Sequence, residues 1–188
     1  AVLTAGKDVQ ATYLLNCQLK ANGKLLVEGR KGVIIGGKTC AKLGISCNGI
    51  GNIAEIATVV SVGIDKEDMT AYQELQKKIE QTQAELQTCE NGLNKLMANP
   101  VHDEKVSMMI QRLTRAVYTL KSSRKELFSE RNAQMEQMTK QKEARIQVSG
   151  RAYPGTLLFL NEDPFAIKEI YNNVEFVKHD NRIDTLAH

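Results

Sequence analysis

The chain has 188 residues, 25% of them charged and 42% hydrophobic, with a net charge of +3 and a pI near 8.6. Its length is enough for one or two domains, but aromatic residues make up only 5% and tryptophan is absent, so a core of large rings is not expected. The small positive charge differs from the strongly basic balance of nucleic-acid-binding domains, and no run of about 18 apolar residues predicts a membrane span. The chain opens at Ala1-Val2-Leu3 without a methionine or a signal-like segment, and we therefore expect a fragment of a longer protein.

Residues 1–64 carry the pattern of short strands separated by frequent turns. The apolar patches are short, as in Leu25-Leu26-Val27, and helical periodicity is missing. Short strands with closely spaced glycines favour a β-solenoid over a β-sandwich, whose strands are usually longer. Within this region we expect Ile35 to lie in the solenoid interior and an apolar segment to run from Ile53 to Gly63.

The central residues, 65–145, have the heptad pattern of a two-helix coiled coil. Two stripes recur at steps of three and four on either side of Ala98-Asn99-Pro100, which predicts a turn and hence an antiparallel hairpin within one chain. The stripes comprise Tyr72, Leu75, Ile79, Thr82, Leu86, Cys89, Leu93 and Leu96, and then Val106, Ile110, Leu113, Val117, Leu120, Arg124 and Leu127.

Capping residues precede both predicted helices. The first helix is expected to begin at Asp65 or Asp68, and the second at His102 or Asp103. The second helix should be the longer, with a seam that weakens where Arg124 takes a core-type position.

Strand patterns return in residues 146–188. Alternating apolar residues that start at Ile146 predict one strand, Tyr153-Pro154-Gly155 predicts a turn, and Thr156–Leu160 predicts a further strand. We therefore expect the hairpin to be an insertion into one solenoid formed by residues 1–64 and 146–188. At roughly 20 residues per turn, these two parts would supply about five turns.

The cysteines and histidines predict neither a metal site nor a catalytic centre. The four cysteines form no C-x-x-C pair, and the three histidines are scattered. We therefore predict no catalytic residue, no cofactor, no metal and no small-molecule substrate. We expect the four cysteines to be reduced thiols that pack as small apolar side chains, which favours a cytoplasmic location. They are Cys17, Cys40, Cys47 and Cys89.

One segment matches the phosphate-binding loop G-x-x-x-x-G-K-[ST]: Gly32-Val33-Ile34-Ile35-Gly36-Gly37-Lys38-Thr39. This segment is followed by the coiled coil and then by an apolar strand that ends in acidic residues. The order of these segments resembles that of chromosome-maintenance ATPases, which have a helical hairpin between their two nucleotide-binding motifs. However, a phosphate loop must lead into a helix N-terminus, and the Val-Ile-Ile interior favours burial in a strand. Gly44 and Asn48-Gly49 follow within ten residues, which does not favour a helix. A nucleotide-binding ATPase that uses Lys38 and Thr39 is the alternative function.

A second enzyme class, the hexapeptide acyltransferases, is disfavoured. Ile35-Gly36 and Ile50-Gly51 resemble the turns of those enzymes. Their regular six-residue period does not hold here, and the sequence has no histidine before His102 to act as the catalytic base.

The second helix has six basic residues between positions 105 and 125 and no acidic residue among them. They are Lys105, Arg112, Arg115, Lys121, Arg124 and Lys125. Two interpretations stay open at this point. The residues form a solvated face that pairs with Glu74, Glu80, Glu85 and Glu90 of the first helix, or they form a docking surface for an acidic protein.

The signature G-x-I-x-G-G-x-x-x-A, read from Gly32 to Ala41, resembles that of the FapA family (flagellar assembly protein A). The strand Val59-Val60-Ser61-Val62-Gly63 before the hairpin and Tyr153-Pro154-Gly155-Thr156-Leu157-Leu158 after it are also similar to that family. The resemblance covers essentially the whole chain, with these segments in the same order as in the family. The full family has in addition an N-terminal domain, which this sequence does not contain.

The resemblance implies a right-handed parallel β-helix (β-solenoid) interrupted by a long antiparallel coiled-coil hairpin. It also implies a cytoplasmic bacterial protein without known catalysis, with a polymerising or scaffold role in flagellar assembly or cell-envelope organisation. We therefore predict a non-enzymatic scaffold that acts through protein partners or self-association, and neither through nucleic acid nor in a membrane. The expected divisions are residues 1–64 (solenoid), 65–145 (hairpin) and 146–188 (solenoid).

Overall fold

The computed structural model describes residues 1–98, 103–180 and 182–187. These residues form two compact units, one of residues 1–68 with 137–188 and one of residues 69–136. The predicted Asn99-Pro100 turn and His102 lie outside the described residues.

The first unit is a β-solenoid of about 3 turns, which confirms the predicted fold class. Its strands are β1 (Val2–Ala5), β2 (Val9–Ala11), β3 (Tyr13–Ala21), β4 (Leu25–Val27), β5 (Val33–Ala41), β6 (Ile45–Ile50), β7 (Thr58–Val62), β8 (Ile146–Ala152), β9 (Thr156–Leu160), β10 (Asp163–Ala166), β11 (Tyr171–His179) and β12 (Arg182–Ala187). The helices are α1 (Lys66–Met97) and α2 (Glu104–Lys142).

Parallel strands stack on one another from turn to turn. One ladder runs through β1, β3, β5, β7 and β9, and a second through β2, β4, β6 and β8. Alternate side chains of each strand point inward, so that the core consists of columns of equivalent residues. One such column is Leu19, Thr39, Val60 and Leu158, each at most 5% exposed.

The helices are inserted at one corner of the solenoid. In the preceding turn, three residues, 42–44, join β5 to β6. In the next turn the same corner, between Val62 of β7 and Ile146 of β8, contains both helices. The register continues across the insertion, since Ala41 pairs with Val62 and Ile45 pairs with Ile146.

The solenoid ends earlier than the sequence indicates. The prediction of about five turns is too high, because β10, β11 and β12 pair antiparallel to their neighbours and do not add turns. Phe165, Tyr171 and Phe176 pack their rings together beside this end, with Phe176 fully buried. These residues cover the last turn of the core.

Two details of the first region differ from prediction. The inward residue is Ile34, which is fully buried, whereas Ile35 is only half-buried, so the expectation for Ile35 is wrong. Positive φ angles at Gly36 (70°) and Gly37 (77°) turn the chain here and interrupt the alternation of the strand. Ile53 is 84% exposed and lies before β7, so the apolar segment begins later than expected.

The second unit confirms the predicted helical pair. Every predicted seam position is buried or half-buried, and Leu75, Ile79, Leu86 and Val117 are the most enclosed. The antiparallel arrangement follows from cross-helix contacts: Lys121 Nζ lies 2.9 Å from Glu90 Oε1, and Arg124 donates to Gln83 Oε1 at 2.9 Å. Arg124 therefore does face the first helix, as its heptad position predicts.

Candidate functional site

The solenoid unit holds the first turn of α1 through two lysines of the preceding turns. Lys20 binds Glu67, and its Nζ lies 3.5 Å from Asp65 Oδ2. Lys42 binds Asp68, and its Nζ lies 3.8 Å from the same Asp65 oxygen. The Lys42 and Asp68 side chains are only 11% and 17% exposed, so this pair is screened from water more than an ordinary surface ion pair.

Asp65 and Asp68 together form a capping box at the start of α1. The Asp68 amide donates to Asp65 Oδ1 at 2.9 Å, and the Asp65 amide donates to Asp68 Oδ2 at 3.2 Å. Burial alone would raise the pKa of Asp65, but the Asp68 amide and the charges of Lys42 and Lys20 outweigh it and lower that pKa. The pKa of Lys20 is raised, mainly by its hydrogen bond to Glu67. Both predicted capping candidates therefore act together.

Asn161 connects the start of α1 to the end of α2 within the solenoid unit. Its side-chain oxygen accepts from the Ile64 amide at 2.9 Å, and its side-chain nitrogen donates to the Lys142 carbonyl at 3.1 Å. Gly63 makes room for this contact, because a Cβ there would lie 2.0 Å from Asn161 Oδ1. Gly63 also has a φ of +89°, a conformation that favours glycine.

Sequence reasoning missed Asn161, Lys20 and Lys42 as residues that hold the helix ends. The partners of Asn161 lie far away in the sequence, 97 and 19 residues distant. Its positive φ of 51° is a conformation that asparagine tolerates better than most residues. The only local signal was an asparagine in a turn, which is too common to identify a partner.

The residues of the phosphate-loop match after Gly32 lie in strand β5. Lys38 points outward and is exposed, whereas Thr39 points inward and is 1% exposed. A phosphate loop needs its lysine at the β- and γ-phosphates and its hydroxyl at the Mg²⁺ ion beside them, so both must face the nucleotide. Here they lie on opposite faces of a strand. The chain then enters the turn 42–44 and β6, rather than a helix.

A groove of about 760 Å³ lies on the outward face of the first ladder, within the solenoid unit. Lys38, Cys40 and Phe159 line it together with the first turn of α1. The described parts of the chain contain no group of three or more His, Cys, Asp or Glu side chains that could hold a metal ion. The groove thus combines apolar side chains with cationic and acidic ones, and the described residues give it no metal-ligand set.

Cys47 is the one of the four cysteines that is fully buried. Cys47 is 3% exposed, and burial raises the pKa of its thiol to about 12, so it is a poor nucleophile. All four cysteines are free thiols.

The basic face of α2 is only partly paired with α1. Lys121 binds Glu90, as the first interpretation predicts, but Arg124 binds Gln83 instead of a glutamate. The other four basic side chains are exposed and have no side-chain partner within residues 1–98, 103–180 and 182–187: Lys105, Arg112, Arg115 and Lys125. Unpaired cations therefore remain on the surface of the helical unit.

Exposed apolar side chains accompany these cations. Met108 is 53% exposed, Met109 51% and Tyr118 78%. Flexible methionine side chains on a surface adapt to varied apolar partners. Within the described chain, neither helix has a stretch that is long and apolar enough to cross a bilayer.

Comparison with known proteins gives one family. The family model for the Flagellar Assembly Protein A (FapA) beta solenoid domain matches residues 1–183. No curated protein and no solved structure matches the chain.

Proposed function

Because the chain belongs to the FapA beta solenoid domain family, we propose that it is a non-enzymatic module of flagellar assembly whose helical hairpin docks a protein partner or a second copy of the chain. The solenoid serves as the folded base, and the hairpin serves as the docking element. The cytoplasm, where flagellar components are made before export, is the proposed location.

The observation that carries this proposal is the insertion of the helices at a corner that needs only three residues elsewhere. Ala41 pairs with Val62 and Ile45 pairs with Ile146, so the solenoid register is the same on both sides of the insertion. The helices are therefore additional to the solenoid ladders and are not required to complete them. An element of this length that the surrounding fold does not need is best explained by an interaction of its own.

The anchoring of the helix ends supports the same proposal. Ion pairs from Lys20 and Lys42, together with the double hydrogen bond of Asn161, fix the last residues of the solenoid unit on either side of the helices. A docking element gains affinity when its attachment is ordered beforehand, because less conformational entropy is lost on binding.

The proposal is tested by exchanging residues 63–145 for a Lys-Leu-Gly turn copied from residues 42–44. In the organism that encodes the protein, flagella are counted by electron microscopy, and the cellular amount of the variant is measured by immunoblot. We expect the variant to accumulate while flagella are reduced or absent. Normal flagella in cells that carry only the hairpin-less protein would contradict the proposal.

A matched substitution separates this function from the ATPase alternative. Lys38 is exposed in β5, so Lys38→Ala should change neither the thermal stability nor the number of flagella. An ATPase of the phosphate-loop type would lose nucleotide binding and its function with the same change. Among the described residues, no contact of Lys38 or Thr39 favours that alternative.

A further inference from the structure

We propose that the hairpin docks a second copy of this chain, antiparallel, through a second stripe of α2 residues. The proposal rests on the function proposed above and names the partner of its docking element. The stripe recurs at steps of three and four, as the core seam does, but lies on a different face of the helix. It comprises Lys105, Met109, Arg112, Ala116, Thr119, Ser123, Glu126 and Glu130.

The stripe is accessible. All of its members are exposed except Ala116 and Ser123, which are half-buried. The four charged members, Lys105, Arg112, Glu126 and Glu130, have no side-chain partner in the described ranges 1–98, 103–180 and 182–187. Their charges are therefore free for an intermolecular contact.

The charges of the stripe are arranged so that the stripe complements itself. Two cations lie in its first half, small residues in its centre, and two carboxylates in its last half. When two copies lie antiparallel about a two-fold axis beside Ala116 and Thr119, Lys105 faces Glu130 of the partner subunit. Arg112 then lies within one helical turn of Glu126 of the partner subunit. Each of these pairs occurs twice, because a two-fold contact is reciprocal.

The whole helical unit has a weaker charge separation of the same sign about this axis. Residues 92–117 contain four basic and two acidic side chains, whereas residues 69–91 and 118–136 together contain seven acidic and six basic ones. An antiparallel dimer places each basic half against an acidic half, and a parallel arrangement places like charges together. Charge complementarity thus selects both the partner and its orientation.

The centre of the stripe lies beside a groove that allows close approach. Ala84, Thr88, Ala116, Thr119 and Leu120 line this groove of about 670 Å³ between the two helices of the unit. Lys105 to Glu130 spans about 38 Å of helix at 1.5 Å per residue. With a face roughly two helix diameters wide, the contact buries on the order of 1,500 Å² over both copies, the usual size of a specific interface.

A second copy explains more of these observations than the other classes of partner. An acidic protein would use Lys105 and Arg112 but would meet repulsion from Glu126 and Glu130 on the same stripe. A nucleic acid or an anionic membrane would meet the same two carboxylates. Only a partner with the reversed order of charges satisfies the whole stripe, and the chain itself has that order.

The test uses the full chain and two charge reversals, Lys105→Glu and Glu130→Lys, with sedimentation velocity as the measurement. The native chain should form a dimer that weakens with added salt. Each single variant should dimerise roughly tenfold or more weakly, because both symmetric pairs become repulsive. An equimolar mixture of the two single variants should restore the dimer, since each reversed residue then faces an opposite charge. The double variant should also restore it.

Lys125→Glu serves as the matched control, because Lys125 is exposed on α2 but lies off the stripe. It should leave dimerisation unchanged. A native chain that stays monomeric at all concentrations would overturn the inference, as would a dimer that is insensitive to both reversals or one that the mixture fails to restore. These results do not bear on the number of flagella in cells that carry the protein without residues 63–145. Failure of this inference is therefore distinguishable from failure of the proposed function.

Discussion

Replacing Thr39 by valine should stabilise the protein, although this hydroxyl occupies the metal-binding position of the phosphate-loop match. Thr39 is 1% exposed, and its Oγ1 has no hydrogen-bond partner among the described residues. Burial of an unpaired hydroxyl costs about 1–3 kcal/mol, and a methyl group in its place adds apolar burial. Because valine has nearly the same shape and also favours strands, we expect the free energy of unfolding to rise by about 1–2 kcal/mol. Urea denaturation followed by circular dichroism measures this change.

Thr58→Val is the matched control one turn away in the solenoid. Thr58 is equally buried, but its hydroxyl accepts from the Gly36 amide at 2.8 Å and donates to the Ile56 carbonyl at 2.8 Å. Valine at this position leaves the buried Gly36 amide unpaired, so stability should fall by about 1–3 kcal/mol. If Thr39→Val also lowered stability by 1 kcal/mol or more, the inward orientation of Thr39 in the solenoid core would be refuted.

Two further predictions concern the residues that hold the helix ends. Asn161→Ala removes the hydrogen bonds to Ile64 and Lys142, so the free energy of unfolding should fall by about 1–3 kcal/mol. The Ile64 amide should also exchange its hydrogen with solvent faster, which mass spectrometry measures. An unchanged exchange rate would count against the bridging role of Asn161. Because folding lowers the pKa of Asp65, its charge contributes stability above the unfolded-state pKa of about 4, and this contribution is lost as the pH falls through the folded-state pKa. Below about pH 4, the free energy of unfolding should therefore fall less steeply with falling pH for Asp65→Asn than for the native chain. Identical pH dependence in the two proteins would show that the charge of Asp65 does not stabilise the fold.

The helical hairpin could be predicted from the sequence because its information is local. Helical period and capping residues act over a few positions, so the seam from Tyr72 onward and the caps at Asp65 and Asp103 follow from short segments. Asp103 accepts from the Val106 amide at 2.7 Å, as a capping residue should.

The interior of the solenoid could be predicted only in outline. Alternation within β5 does not say which of Ile34 and Ile35 faces inward, because the positive φ angles of Gly36 and Gly37 change the direction of the strand. Without a known turn length, the sequence also does not fix which residues stack in neighbouring turns. The register between β5 and β7 therefore had to come from the structure.

The contacts that hold the helix ends were beyond sequence reasoning for the same reason. Lys20, Lys42 and Asn161 are distant from their partners along the chain and meet them only because the solenoid turns stack. The second stripe of α2 was also missed. Its charged and small residues resemble an ordinary solvated helix face until their lack of partners within the described chain is known.

We propose that the solenoid is a complete fold to which the hairpin is added for docking. The most direct test of this proposal is thermal unfolding, followed by circular dichroism, of the chain whose residues 63–145 are exchanged for a three-residue turn. We expect a strand-rich spectrum and one cooperative transition, because the register of β5 with β7 and of β6 with β8 needs only that turn. A spectrum without strand signal, or a gradual loss of signal on heating, would contradict it and show that the helices are part of the fold itself.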